Sequence, residues 1–199
     1  SSILTNLRSA VITGFVFAVI LIFFLAQGSF DQTAFNMWLR RWMHVLSGIM
    51  WVGILYYFNF VQIPNMPKIP DDQKPAISKV IAPAALWWFR WGAVATVVTG
   101  FILAHLNGYL HDAMTFSNGH WPIGVGMWLA IIMFLNVWLV IWPNQKKALG
   151  IVQVDADTKA NAARKAMLFS RKNTILSIPM LVATVSYTHL RAHETQQHR

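Results

Sequence analysis

Four histidines lie ahead of residue 187, and two of them fall within apolar sequence: His44 near the start of one long apolar run and His105 in the last turn of the next. Consecutive runs cross a bundle in opposite directions, so the two imidazoles are expected at one depth on antiparallel helices. Polar groups at such depth are costly and usually face a bundle interior. The chain has no cysteine, which removes disulfides, thiolate metal sites, iron–sulfur clusters and a c-type haem attached through Cys-x-x-Cys-His. An imidazole pair remains, and it suits the iron of a haem b with His44 and His105 as axial ligands. Gly48, four residues past His44 on the same helical face, leaves room for a flat macrocycle. Arg40 and Arg41 stand where haem propionates would emerge. A plainer reading keeps both histidines as interfacial groups and lets both arginines snorkel to headgroups. His120 opens a further apolar run at the same side and is an alternative ligand. His111 falls in the connecting loop.

Helices must hold these residues, and the composition provides them. Of 199 residues, 56% are hydrophobic and 12% charged, against about 25% charged in a soluble domain. The mean hydropathy is +0.46. Sixteen Lys+Arg against 7 Asp+Glu give a net charge of +9, which by itself could suggest a nucleic-acid binder. The apolar runs exclude that partner and turn the charge into loop topology in a lipid bilayer. A membrane helix needs about 20 apolar residues. Four stretches qualify, roughly 7–26, 42–62, 87–106 and 122–142. A fifth begins at Thr174 and stays apolar for only 13 residues. The fold class expected is therefore an all-α, multi-pass transmembrane helical bundle with four full spans and a truncated fifth.

Lysine and arginine gather in two connections, with Lys68, Lys74 and Lys79 in one and Lys146, Lys147, Lys159, Arg164, Lys165, Arg171 and Lys172 in the other; loop 107–121 has none. The positive-inside rule then places the N-terminus in the cytoplasm, and loop 107–121 and the end of the fifth helix on the far side. Arg40 and Arg41 break this pattern, which a bound propionate would explain. Trp38, Trp42, Trp87, Trp88, Trp91, Trp121 and Trp142 fall at the expected interfaces. The segment 155–173 reads as a basic helix lying on anionic headgroups. Asn59, Asn136 and Thr99 read as interhelical hydrogen-bonding groups, and Arg90 as a snorkelling residue. Gly92, Gly100, Gly124 and Gly126 read as points of close helix approach. No phosphate loop, His-Glu-x-x-His or Gly-x-Ser-x-Gly motif occurs. All the acids before residue 187 fall in loops, against proton-coupled transport and in favour of redox chemistry.

The strings Arg40-Arg41-Trp42-Met43-His44-Val45-Leu46-Ser47-Gly48 and Tyr56-Tyr57-Phe58-Asn59-Phe60-Val61-Gln62 resemble the membrane domain of the bacterial cytochrome c-linked urate oxidase (urate hydroxylase) family. So do Pro83-Ala84-Ala85-Leu86-Trp87-Trp88-Phe89-Arg90-Trp91-Gly92, Ile141-Trp142-Pro143-Asn144-Gln145 and Ser170-Arg171-Lys172-Asn173-Thr174. The resemblance covers about 38–182. It implies an integral protein of the bacterial inner membrane that oxidises urate to 5-hydroxyisourate and passes electrons to a periplasmic cytochrome c. Lacking cysteine, this chain would use a separate cytochrome or a missing C-terminal cytochrome domain. Urate is a planar anion, so Trp42 and Trp121 beside Arg40 and Arg41 are candidate substrate contacts. Two other readings stay open: a non-catalytic electron-transfer or anchor subunit, and a haem-free, transporter-like bundle. From Tyr187 onward the sequence resembles translated adapter read-through. The expected organisation is one membrane domain, 1–186, and a non-native tail, 187–199.

Overall fold

The computed structural model describes residues 2–26 and 31–186, and all regular structure among them is helical. Two compact units divide the chain, residues 1–39 and 40–199. In the first, helix α1 (Leu7–Ala26) is apolar on every side, and Phe15, Phe17 and Phe23 are exposed. A helix without a polar face suits a lipid surrounding. Helix α2 (Gln32–Tyr56) starts in this unit. Asp31 caps it, accepting hydrogen bonds from the amides of Thr33 at 2.8 Å and Ala34 at 3.2 Å, which satisfies two otherwise orphaned donors.

The second unit holds the rest of α2 and the helices that follow it. Helix α2 runs on through a π-helical turn, Tyr57–Gln62, to Lys68. Helix α3 (Ala82–Leu106) follows a π turn, Ile77–Ile81, and the short α4 (Leu110–Met114) sits in the loop after it. Helix α5 (Trp121–Leu135) continues through a π turn, Asn136–Ile141, and Trp142–Ala148. Helix α6 (Ala156–Leu181) continues into Val182–Ser186. Among the described residues, four helices are long and apolar enough to cross a membrane: Leu7–Leu25, Gln32–Lys68, Lys74–Leu106 and Trp121–Ala148.

Three of the π turns share a cause that is legible in the sequence. Each ends two residues before a proline, Pro64, Pro83 or Pro143. A proline lacks the N–H that would bond the carbonyl four residues back, and its ring crowds that carbonyl. The carbonyls concerned belong to Phe60, Lys79 and Leu139, each inside its π turn. Widening the turn relieves the crowding and keeps the helix continuous.

Helix α6 differs from the sequence expectation of a surface helix followed by a separate fifth run. It is one continuous helix, capped by Asp155, which accepts from the Thr158 amide at 2.8 Å. Its buried face is Ala162, Ala166, Ser170, Asn173, Ser177 and Met180. These recur every three or four residues, so they form one stripe. Small or polar except at Met180, the stripe gives little hydropathy signal, yet it packs on α5 and its extension. The core beside it joins Trp51, Leu55 and Phe58 of α2, Leu86, Phe89 and Ala93 of α3, and Met133, Val137 and Ile141 of α5 and its extension.

Candidate functional site

Helices α2 and α3 meet along a close seam. An added Cβ at Gly92 would lie 3.3 Å from the Trp51 backbone nitrogen, one at Gly100 would lie 3.0 Å from Cε1 of His44, and one at Gly48 would lie 4.0 Å from Cγ2 of Thr96. His44 is half-buried in this seam, its Nδ1 2.9 Å from the Thr99 hydroxyl. That hydroxyl spends its proton on the Ala95 carbonyl at 2.6 Å. Thr99 therefore accepts, His44 donates from Nδ1, and Nε2 carries the lone pair.

That tautomer suits a metal ligand, but the second expected ligand is not with it. His44 meets α3 at Thr99 and Gly100, and His105 follows them by six and five residues on the same helix. At about 100° per residue, His105 lies roughly opposite the face that His44 touches, and it is exposed. The expected haem b between α2 and α3 does not fit this seam: Gly100 receives the imidazole itself, and Gly48 faces Thr96 at ordinary contact distance rather than a slot for a macrocycle.

The other expected site residues are dispersed. Arg40 and Arg41 lie one turn ahead of His44, half-buried and exposed respectively, and Trp42 is half-buried. Trp121, exposed, is the first residue of α5. His120 belongs to an ordered cap formed by loop 107–121. Its ring stacks on Tyr109 with centroids 5.5 Å apart, and its Nδ1 is 3.9 Å from Asp112. Asp112 also accepts from Ser117 at 3.1 Å and Asn118 at 2.9 Å. Gly124 lets α5 pass directly against the Ala113 carbonyl, where any side chain would collide with backbone. His111 is exposed.

Polar residues expected to bond between helices do so. Asn59 donates to Ser170 at 2.8 Å, Asn136 donates to Asn173 at 2.9 Å, and Asn173 donates to the Met133 carbonyl at 3.0 Å. Tyr56 and Ser177 pair through their hydroxyls at 2.9 Å. Ser177 donates to the Thr174 carbonyl at 2.7 Å, so Tyr56 is the donor to Ser177.

Arg90 departs from expectation. It does not reach out to solvent: it is 9% exposed, and its guanidinium carbon lies 3.4 Å from the Trp142 ring centroid. Among the described residues, buried Nη1 has no hydrogen-bond partner, and the buried Oε1 atoms of Gln62 and Gln145 have none either. An arginine inside an apolar run is the sequence signal that marks this residue.

Comparison with known proteins bears on the half of the bundle nearer the C-terminus. Residues 113–198 match the family model described as urate oxidase N-terminal. The match covers less than half of the chain and takes in α5 and α6. It runs on through the segment from residue 187, which lies outside the described residues, and so lends no support to setting that segment aside. No curated protein and no solved structure matches.

Proposed function

We propose that this chain is the membrane-embedded part of a urate-oxidising system of the bacterial inner membrane. The observation that carries this reading is the similarity of residues 113–198 to urate oxidase N-terminal. Two further features support it. Four helices are long and apolar enough to cross a bilayer, and the strings at 40–48, 56–62 and 83–92, ahead of the matched segment, resemble the membrane domain of the cytochrome c-linked enzymes.

The reaction proposed is urate plus water giving 5-hydroxyisourate, two protons and two electrons. Water supplies the new hydroxyl oxygen. The electrons go to a periplasmic cytochrome c, either a separate protein or a domain following residue 199. A cytochrome c takes one electron per encounter, so each urate requires two. The chain's own part is to bind the anion, exclude bulk water and present the bound urate to the electron acceptor. The N-terminus on the cytoplasmic side follows from the distribution of lysine and arginine.

The test is to reconstitute the protein in lipid nanodiscs, add urate and oxidised cytochrome c, and follow both absorbances. Urate loss with two equivalents of cytochrome reduced per urate is the expected result. Cytochrome that stays oxidised in excess urate, with the protein shown to be folded, would overturn the reading.

A further inference from the structure

Among the described residues, Arg90 is a buried cation without a counter-charge. Burying an unpaired charge is expensive, and such groups are normally paired or hydrogen-bonded. The acidic residues of the chain are Asp31, Asp71, Asp72, Asp112, Asp155, Asp157 and Glu194, and none lies within the four long apolar helices. No ion pair to Arg90 occurs among the described residues. Trp142 offers its ring to the guanidinium, and Lys146 brings a second cation within 5.7 Å of the same ring centroid. That doubles the positive charge at one indole and leaves Nη1 unsatisfied.

Helix position places further groups on the segments that flank Arg90 and Trp142. Gln145 follows Trp142 by three residues, so the two share a helix face. Phe58 and Phe89 meet with ring centroids 6.1 Å apart. Arg90 is next to Phe89 in the chain, and Gln62 lies four residues past Phe58. Both glutamines hold a buried carbonyl oxygen without a donor. An occupant complementary to this set carries negative charge for Arg90, N–H donors for the glutamine oxygens, and a flat face to lie along the planar guanidinium, which already rests on Trp142.

We infer that Arg90, seated on Trp142, is the recognition point for a small planar organic anion entering from the lysine-rich end of the bundle. Identifying that anion as urate rests on the function proposed above. The recognition point is then distinct from Arg40, Arg41, Trp42 and Trp121, at the other end of the helices.

The experiment uses the full chain in phosphatidylcholine nanodiscs, titrated calorimetrically with urate, benzoate and the neutral isostere benzamide. Urate and benzoate should bind and benzamide should not, a contrast that needs no variant. Arg90→Gln should weaken both anions about tenfold or more, the value of a lost charge-assisted hydrogen bond. Arg90→Lys should keep part of the affinity, since lysine retains the charge without the planar fork. Equal affinity of wild type and Arg90→Gln for urate would overturn the site while leaving urate oxidation standing. Benzoate binding through Arg90 without urate binding would keep the site and remove urate. Binding of neither anion, with stabilisation by phosphatidylglycerol discs lost in Arg90→Gln, would make a lipid headgroup the partner and overturn the inference.

Discussion

Asn136 donates to Asn173 at 2.9 Å at the point where α5 widens into its π turn. Asn173 is fully buried and donates onward to the Met133 carbonyl at 3.0 Å. The pair ties the widened turn to α6, whose buried stripe has little apolar surface of its own. One turn either way along α6, Ser170 meets Asn59 and Ser177 meets Tyr56. Polar bonds thus join α6 to both α2 and α5, whereas α2 and α3 meet along a glycine seam and apolar contacts, with the His44–Thr99 hydrogen bond between them.

Removing the middle of this chain should be felt. Asn173→Ala strands the Asn136 amide and is expected to cost about 1–3 kcal/mol, toward the lower end in a membrane-like medium. Asn136→Ala should cost a comparable amount, and the double variant less than the sum, because one bond is counted twice. Unfolding in mixed micelles measures all three. Strict additivity would mean that the two asparagines do not act on each other.

Two glycines of the same composition class should respond differently to alanine. Gly124→Ala drives a methyl into the Ala113 carbonyl, and that atom is backbone, so the cap over α5 must shift. Gly53→Ala meets nothing within 4 Å and should be neutral or stabilising by up to about 1 kcal/mol through helix propensity. Proteolysis of loop 107–121 reads the first change and thermal unfolding both. An intact loop in Gly124→Ala would contradict the close approach.

How much of this is legible in the chain varies by kind of residue. Asn59, Asn136 and Thr99 are legible as bonding groups because a polar side chain in an apolar run must find a partner. Their partners Ser170 and Asn173 are not, since α6 buries a small, polar stripe that lowers hydropathy instead of raising it. Gly92, Gly100, Gly124 and Gly126 are legible as contacts and prove to be so. Counting residues brings His44 and His105 toward the same end of the bundle, yet His44 meets α3 at Thr99 and Gly100, about 8 Å along the axis from His105. Angular position depends on which face of α3 meets α2, and there the count is silent. For Arg90 the flanking tryptophans suggest an interface, while the packing of Trp142 decides that the guanidinium stays inside.

The two histidines should separate by experiment. His44→Ala removes a ring packed on Gly100 and strands Thr99 without its donor, at an expected cost of about 1–3 kcal/mol. His105→Ala alters an exposed side chain and should stay within about 0.5 kcal/mol. Both variants should have the same visible absorption spectrum as wild type. Loss of a Soret band in each of them would restore the iron-bridging pair.

Helix α6 should carry a small acid sensitivity of known sign. Hydrogen bonds from Thr158, side chain first and amide second, hold the Asp155 carboxyl below the ordinary carboxylate range. A group whose pKa is depressed on folding contributes stability above its unfolded value and loses it as pH falls through the folded one. Asparagine caps a helix nearly as well as aspartate but does not titrate in this range. Asp155→Asn should therefore be less stable than wild type at neutral pH, by an amount that shrinks as pH falls below about 3.9, the ordinary Asp value. Helix content followed by circular dichroism across that window measures it. A difference between the two proteins that is constant with pH would show that the carboxylate charge does nothing for the cap.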